Sequence, residues 1–293
     1  MKVKMWGVRG SIPAPGPRTV RYGGNTTCIE VRGDDDSLII LDAGTGIFPL
    51  AQSLLERMPI EANIFITHTH WDHIQGLPFF VPIHVSGNRV RIHGAYDIVS
   101  MQGIEQVMSV QLQYSYFPIR EAEIKARVEY VTLTGGVAVS IGAVAVTPVL
   151  MNHPVTEFGY RVECNGKALF FTGDHEPWLN IYAPGEEGHD EYQAMVEQRQ
   201  AELEAAIGAV DLLIVDAAYT QEEYPRKVGW GHGSFASAIA LGRRTGARRV
   251  LCTHHEPTRG DDELEKVFAE ALARHPDSGC EVLLAREGLE IEL

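Results

Sequence analysis

His68-Thr69-His70-Trp71-Asp72-His73 places three imidazoles and one carboxylate within six residues, directly after the apolar run Ala62-Asn63-Ile64-Phe65-Ile66-Thr67. The run reads as a strand, and a strand presents alternate side chains on one face. Continued through the motif, that alternation aims His68, His70 and Asp72 one way and His73 another. One segment can then serve two neighbouring metal ions, His68 and His70 on one, Asp72 and His73 on the other. Imidazole and carboxylate without thiolate suit Zn²⁺, Mn²⁺ or Fe, and open positions point to catalysis rather than to a structural metal.

A two-metal site needs a further His for each ion and a carboxylate between them. The chain offers all three at the ends of apolar runs. Val144–Met151 runs into Asn152-His153, Ala168–Gly173 into Asp174, and Arg249–Thr253 into His254. This ordered pattern, HxHxDH…H…D…H, resembles the metallo-β-lactamase-fold hydrolases over essentially the whole chain. The resemblance implies an α/β protein, a four-layer αββα sandwich. It implies that His68, His70 and His153 hold one metal, that Asp72, His73 and His254 hold a second, and that Asp174 bridges them. It favours His254 over the adjoining His255, and leaves His175, next to Asp174, as a polar loop residue. Asp42, in Leu41-Asp42-Ala43-Gly44-Thr45-Gly46, ends another apolar run. In such folds an Asp at this place supports the metal loop through hydrogen bonds rather than as a ligand. The glycines after it permit a tight turn near the site.

The 293 residues suit one large domain spanning 1–293. Lys plus Arg is 25 and Asp plus Glu is 39, a net charge of −14 that speaks against a general polyanion binder. The densest basic cluster, Arg243-Arg244 with Arg248-Arg249, reads as a solvated helix end. Four cysteines are widely spaced without a CxxC. Cys28, Cys164 and Cys252 lie in apolar runs, so buried thiols are expected rather than disulfides. The run Met1–Gly7 reads as a first strand rather than a leader, and no stretch is long enough to span a membrane. These features together predict a cytoplasmic protein without a membrane partner.

Strands are expected at Lys2–Val8, Cys28–Arg32, Ser37–Leu41, Ala62–Thr67, Arg89–Gly94 and Val128–Leu133, with several more between Val137 and Phe171. Asn165-Gly166 between two apolar runs marks a two-residue hairpin. Beyond it, strands at Asp211–Ala217, Arg249–Thr253, Glu281–Ala285 and Leu289–Leu293 alternate with helices at Ser234–Thr245 and Glu263–Arg274. Residues 96–126 and 184–206 read as insertions. The first contains a helix and then the aromatic patch Tyr114-Ser115-Tyr116-Phe117-Pro118-Ile119, suited to local packing, dimerisation or pocket closure. The second is acidic and leads into an exposed helix.

The segment Gly229-Trp230-Gly231-His232-Gly233-Ser234-Phe235-Ala236-Ser237-Ala238-Ile239 looks like the GHST-helix element of the phosphodiesterase branch of that superfamily. The branch includes ribonuclease Z and the small cyclic-phosphate phosphodiesterases. Trp6–Pro13 and Tyr22–Cys28 resemble the opening of its bacterial members. The resemblance implies that His232 contacts the scissile phosphate or protonates the leaving oxygen. Gly233 before Ser234 departs from the pattern. Ser234 and the helix start behind it would favour an anionic phosphate. Ribonuclease Z grips tRNA with an arm rich in Gly, Pro and basic residues, whereas Pro184–Gly188 is short and followed by acidic sequence. The expectation is therefore a binuclear enzyme, with zinc as the first choice of divalent metal. It would hydrolyse a small phosphodiester, a cyclic nucleotide or other cyclic phosphate, through a metal-bridging hydroxide. His232 counts as substrate-binding and catalytic, and Asp72 as catalytic through its metal rather than as a general base. A homodimer is expected from the branch. The alternatives are a tRNA 3′-processing endonuclease, a lactonase or thioesterase, and a nucleotide-binding protein without turnover.

Overall fold

Two seven-stranded sheets face each other in the computed structural model, which describes residues 1–293. The first half of the chain supplies β1 (Lys2–Gly7), β2 (Cys28–Arg32), β3 (Leu38–Leu41), β4 (Glu61–Phe65), β5 (Arg89–Gly94) and β6 (Arg127–Thr132). The second supplies β7 (Val139–Ile141), β8 (Val144–Leu150), β9 (Phe158–Cys164), β10 (Lys167–Phe171), β11 (Leu212–Asp216), β12 (Arg249–Thr253) and β13 (Glu281–Leu284). The last strand, β14 (Glu290–Glu292), returns to the first sheet beside β1. The helices are α1 (Ile47–Ser53), α2 (Trp71–Ile74), α3 (Ile104–Gln111), α4 (His189–Ile207), α5 (Phe235–Thr245) and α6 (Asp261–Arg274).

Period-two alternation sorts the side chains into layers. Ile39 and Leu41 of β3 and Leu212 and Ile214 of β11 point between the sheets, into a core of 23 buried residues. Leu38 and Ile40 point outward to meet Ile47 and Leu50 of α1 and Ile104 and Met108 of α3. Leu213 and Val215 point outward on the other side, against Leu203 of α4, Leu241 of α5 and Leu264 of α6. Strands buried on both faces have no polar position to spare, which explains continuous apolar runs such as Leu38–Leu41. The result is the four-layer helix–sheet–sheet–helix sandwich implied by the resemblance.

Strand direction positions the site. β3, β4, β5 and β6 are mutually parallel, as are β10, β11, β12 and β13. Ligand sites of open parallel sheets form outside the carboxyl ends of their strands. Here Asp42 follows β3, His68 follows β4, Asp174 follows β10, Asp216 ends β11 and His254 follows β12. Parallel pairs need crossovers, and these occupy the two segments read as insertions. α3 lies between β5 and β6 with Ile104 and Met108 buried, and α4 lies between β10 and β11 with Val196 and Leu203 buried.

One local expectation is corrected. β4 ends at Phe65, so strand alternation does not continue through the motif. His68 and His70 lie in a loop, and Asp72 and His73 lie on the single helical turn α2. The Asn165-Gly166 turn is as read: both residues have positive φ, 49° and 75°, and Cys164 pairs with Lys167 across it. All four cysteines are free thiols, and Cys28, Cys164 and Cys252 are buried. No helix is long and apolar enough to cross a membrane.

Candidate active site

The strand ends gather two overlapping sets of donor atoms. His68, His70, His153 and Asp174 form one, and Asp72, His73, Asp174 and His254 form the other, with all the donor atoms of each set within 4.8 Å of one another. In the first, His68 Nε2 lies 2.9 Å and His153 Nε2 3.1 Å from His70 Nδ1, and His68 Nε2 lies 3.7 Å from Asp174 Oδ2. In the second, Asp174 Oδ1 lies 3.2 Å from His73 Nε2 and 3.1 Å from His254 Nε2. Asp72 Oδ2 lies 3.3 Å from each of those two nitrogens. Asp174 is common to both sets.

These atoms fit cations better than they fit each other. His73 Nε2 and Asp174 Oδ1 are buried without a hydrogen-bond partner. Buried polar atoms are rarely left so, and a functional ion is one of the few reasons. Three imidazoles meeting nitrogen to nitrogen around His70 present lone pairs to one point. No thiol is present in either set, so the donors suit a borderline or hard divalent ion.

The surroundings fix each ring. Asp42 Oδ2 lies 2.8 Å from His73 Nδ1, and its Oδ1 accepts from the Thr67 amide at 2.8 Å. The carboxylate thus lies on the far side of the His73 ring and leaves Nε2 toward the site. Asp42 and His254 both carry positive φ, 62° and 58°, uncommon for residues other than glycine. Such strain persists where surrounding structure over-determines it. Arg9, fully buried, donates to the carbonyls of Gly23 and Arg259 and pairs with Asp261. It thereby anchors Gly10 and Ser11 over the site. The Ser11 amide donates to Asp72 Oδ2 at 2.7 Å, and a Cβ on Gly10 would run into the His254 ring. Gly44 is needed for close approach too: a Cβ there would strike the Asp72 carbonyl.

Charge follows this arrangement. Burial opposes charging His73, but Asp174, Asp72 and Asp42 outweigh it and hold the imidazole well above its ordinary value. His254 behaves likewise through Asp174 and Asp216. On the other side burial prevails: His68 falls well below the ordinary value and His153 is pushed down to about 4. Burial thus favours the uncharged form of both rings, the form that donates a lone pair.

His232 sits at the rim, stacked on His254 with ring centroids 4.6 Å apart. Its Nδ1 lies 3.0 Å from Asp216 Oδ2 and 3.6 Å from Asp174 Oδ2. Burial works against its charge, but Asp216 and Asp174 raise it above the ordinary imidazole value. Asp174, Asp216, His232 and His254 could themselves hold an ion, but the hydrogen bond to Asp216 already uses Nδ1 of His232. Ser234 does not reach the cluster. It is the N-cap of α5, and its hydroxyl accepts from the Ser237 amide at 3.2 Å. His255 Nε2 faces the Ala285 carbonyl and His175 Nδ1 lies 3.4 Å from the Asn152 amide, both away from the two sets.

Three further buried carboxylates, Asp216, Glu157 and Glu176, stand beside the site. Asp216 ends the apolar run Leu212–Asp216 as Asp42 ends its own, and that signal was available. Glu157 stands just before β9, accepts from the Asp174 amide at 2.5 Å and lies 3.5 Å from His68 Nδ1. Glu176, two residues after Asp174, accepts from the amides of Gly229 and Gly231, each at 2.8 Å.

Residues 38–255 match the family model described as a β-lactamase superfamily domain. Ribonuclease BN of Proteus mirabilis is 25% identical over 239 residues, covering 71% of this chain and 75% of the relative. Ribonuclease Z of Haloarcula marismortui is 24% identical over 320 residues, covering 99% and 96%. Among solved structures, the metallo-β-lactamase fold protein YhfI from Bacillus subtilis superposes with a TM-score of 0.67 at 19% identity, covering 99% of both chains. The family match spans most of the chain and includes the segment from β3 to His255, and the sheet order and strand-end site agree with it. The chain belongs to the β-lactamase superfamily, as a ribonuclease Z-like hydrolase of the metallo-β-lactamase fold.

Proposed function

We propose that this hydrolase of ester bonds is a binuclear phosphodiesterase acting on a small phosphodiester, a cyclic nucleotide or another cyclic phosphate. The observation that carries the reading is His232, held by Asp216 at 3.0 Å beside both donor sets with its other ring nitrogen uncommitted to that carboxylate. His68, His70 and His153 would hold one ion, Asp72, His73 and His254 the other, and Asp174 would bridge them. Zinc suits this donor set, with Mn²⁺ or Fe as alternatives. Bound divalent ions supply a nucleophile at neutral pH and neutralise charge growing on phosphate oxygens. The protein does the rest. Asp42 and Ser11 hold His73 and Asp72 in place. Asp216 keeps the His232 imidazolium in reach of the leaving oxygen, to which it gives its proton. Ser234 fixes the start of α5 behind that His.

Turnover of 3′,5′-cyclic nucleotides and bis(p-nitrophenyl) phosphate by the metal-loaded protein, compared with cleavage of precursor tRNA, tests the reading. The names of the relatives favour a second one, endonucleolytic cleavage of RNA. The net charge of −14 favours the smaller substrate. Preference for precursor tRNA would reverse the order. The four free thiols fit a reducing compartment, the cytoplasm.

Elemental analysis of protein purified without chelator should give close to two metal equivalents per chain. One equivalent that persists when Asp72 is changed to Ala would reduce the site to the first donor set. Gly10→Ala should push the His254 ring out of position. Metal affinity or kcat should then fall roughly 10–100-fold, the range for lost support around a ligand, while the thermal midpoint of the metal-free protein barely moves. Unchanged metal titration would show that Gly10 has room to spare. Tyr114 and Tyr116 are exposed, and Phe117 packs edge-on against Phe79 with centroids 5.3 Å apart. We assign this patch to a homodimer contact. Light scattering should report twice the 32.3 kDa chain mass, and Tyr114→Glu should return it to the monomer value.

A further inference from the structure

The loop between β11 and α5 carries a second recognition element beside His232. The buried Glu176 carboxylate binds the amides of Gly229 and Gly231 and the hydroxyl of Tyr224, at 2.8 to 3.1 Å. The Gly231 carbonyl lies 2.9 Å from His153 Nδ1, and Gly231, at φ 86°, sits so close to that ring that a Cβ would collide with it. The loop is therefore tied to the site at its base. Its tip is polar and aromatic. Lys227 Nζ lies 3.9 Å from the centroid of the Trp230 ring and 5.5 Å from that of Tyr219, and Tyr219 meets His232 edge-on at 6.0 Å. The acids near Lys227 in the chain are engaged elsewhere, Glu222 with Arg274 and Glu223 with Arg259. A half-buried lysine thus rests on two aromatic faces next to the site, in a chain with an excess of 14 negative charges. Trp230 remains 58% exposed, so its surface beyond the Lys227 contact is open.

We infer that Lys227 and Trp230 form the subsite for the alcohol side of the ester and select a nucleotide. The open ring of Trp230 takes an aromatic base, and Lys227 takes a phosphate oxygen. The inference rests on the phosphodiester reading of the neighbouring centre and adds what that reading lacks, a reason for the organic part of the substrate to be aromatic. A cation held on a ring face is attracted by the ring quadrupole, so Lys227 is positioned without an acid that would neutralise it. Stacking on an aromatic side chain tolerates any base, which predicts little discrimination among bases.

Calorimetric binding of adenosine 5′-monophosphate and ribose 5-phosphate to the metal-containing protein tests this. The wild type should bind the first about 10-fold more tightly or better, a stacking-sized preference. Trp230→Ala should bind both equally, with ribose 5-phosphate unchanged. Lys227→Met should weaken both ligands alike, and Lys227→Arg should restore them. A wild type that does not distinguish the two ligands, or a Trp230→Ala variant that still does, overturns the subsite. Hydrolysis of bis(p-nitrophenyl) phosphate by the same preparations reports separately on the phosphodiester reading. Its absence beside intact discrimination would sink that reading and leave the subsite standing.

Discussion

Asp174→Ala is expected to abolish turnover while leaving the protein folded. The Asp174 carboxylate lies within 3.7 Å of imidazole nitrogens from His68, His73, His232 and His254, drawn from three separate stretches of chain. Burial alone would raise its pKa, but His254, His73 and His232 hold the carboxyl well below the usual range. It is therefore an anion in a ring of nitrogen donors and the one group shared by both donor sets. On the binuclear proposal its removal would take a ligand from each ion at once, so metal content should drop below two equivalents. Activity should fall by at least about 10⁴-fold, the scale of losing one member of a catalytic unit. Folding should survive because the site lies at the strand ends, outside the three apolar cores. Circular dichroism and a cooperative thermal transition would check that, and His68→Ala should behave the same way. Activity near wild type in either variant would place the chemistry elsewhere in the molecule.

The layers of the fold were legible because burial on both faces leaves a plain mark, the unbroken apolar run. Leu38–Leu41 and Leu212–Asp216 could be only central strands, and the polar residue ending each run could be read as a site residue. That rule singles out Asp42, Asp174 and His254. It applies equally to Asp216, but the metal pattern has no place for a fourth carboxylate there. What sequence could not carry was contact between distant segments. Nothing around Arg9-Gly10-Ser11 announces that its backbone lies against Asp72 and His254, because Ser11 and Asp72, 61 positions apart in the chain, are brought together only by folding. Glu176 is similar: its partners are amides on a loop 53 and 55 residues away. The reverse failure is also instructive. Strand alternation was carried through His68–His73, yet the chain leaves β4 at Phe65 and turns once as α2. The division into two donor pairs followed from the motif's composition, whereas the directions of the side chains needed the turn. Crossover helices α3 and α4 resemble insertions because their faces are only partly apolar, α3 burying three of its eight residues and α4 three of its nineteen.

His232→Ala should separate phosphodiester chemistry from the other hydrolytic reactions open to this fold. Both ions should stay, because His232 is outside the two donor sets and its Nδ1 is turned to Asp216. Loss of one equivalent would instead make His232 a ligand with Asp174, Asp216 and His254. If the imidazolium delivers a proton, kcat should fall roughly 10²–10⁴-fold. The loss should be greater for a cyclic nucleotide, whose leaving alkoxide needs that proton, than for bis(p-nitrophenyl) phosphate, whose phenolate departs without it. Asp216→Asn should follow the same order with a smaller loss, since it removes the carboxylate that most favours the charged ring while keeping a hydrogen-bond partner for it. An equal loss on both substrates would mean that His232 binds phosphate and does not act as an acid. No loss on either would take His232 out of the reaction, and the preference for a phosphodiesterase over a lactonase or thioesterase would go with it.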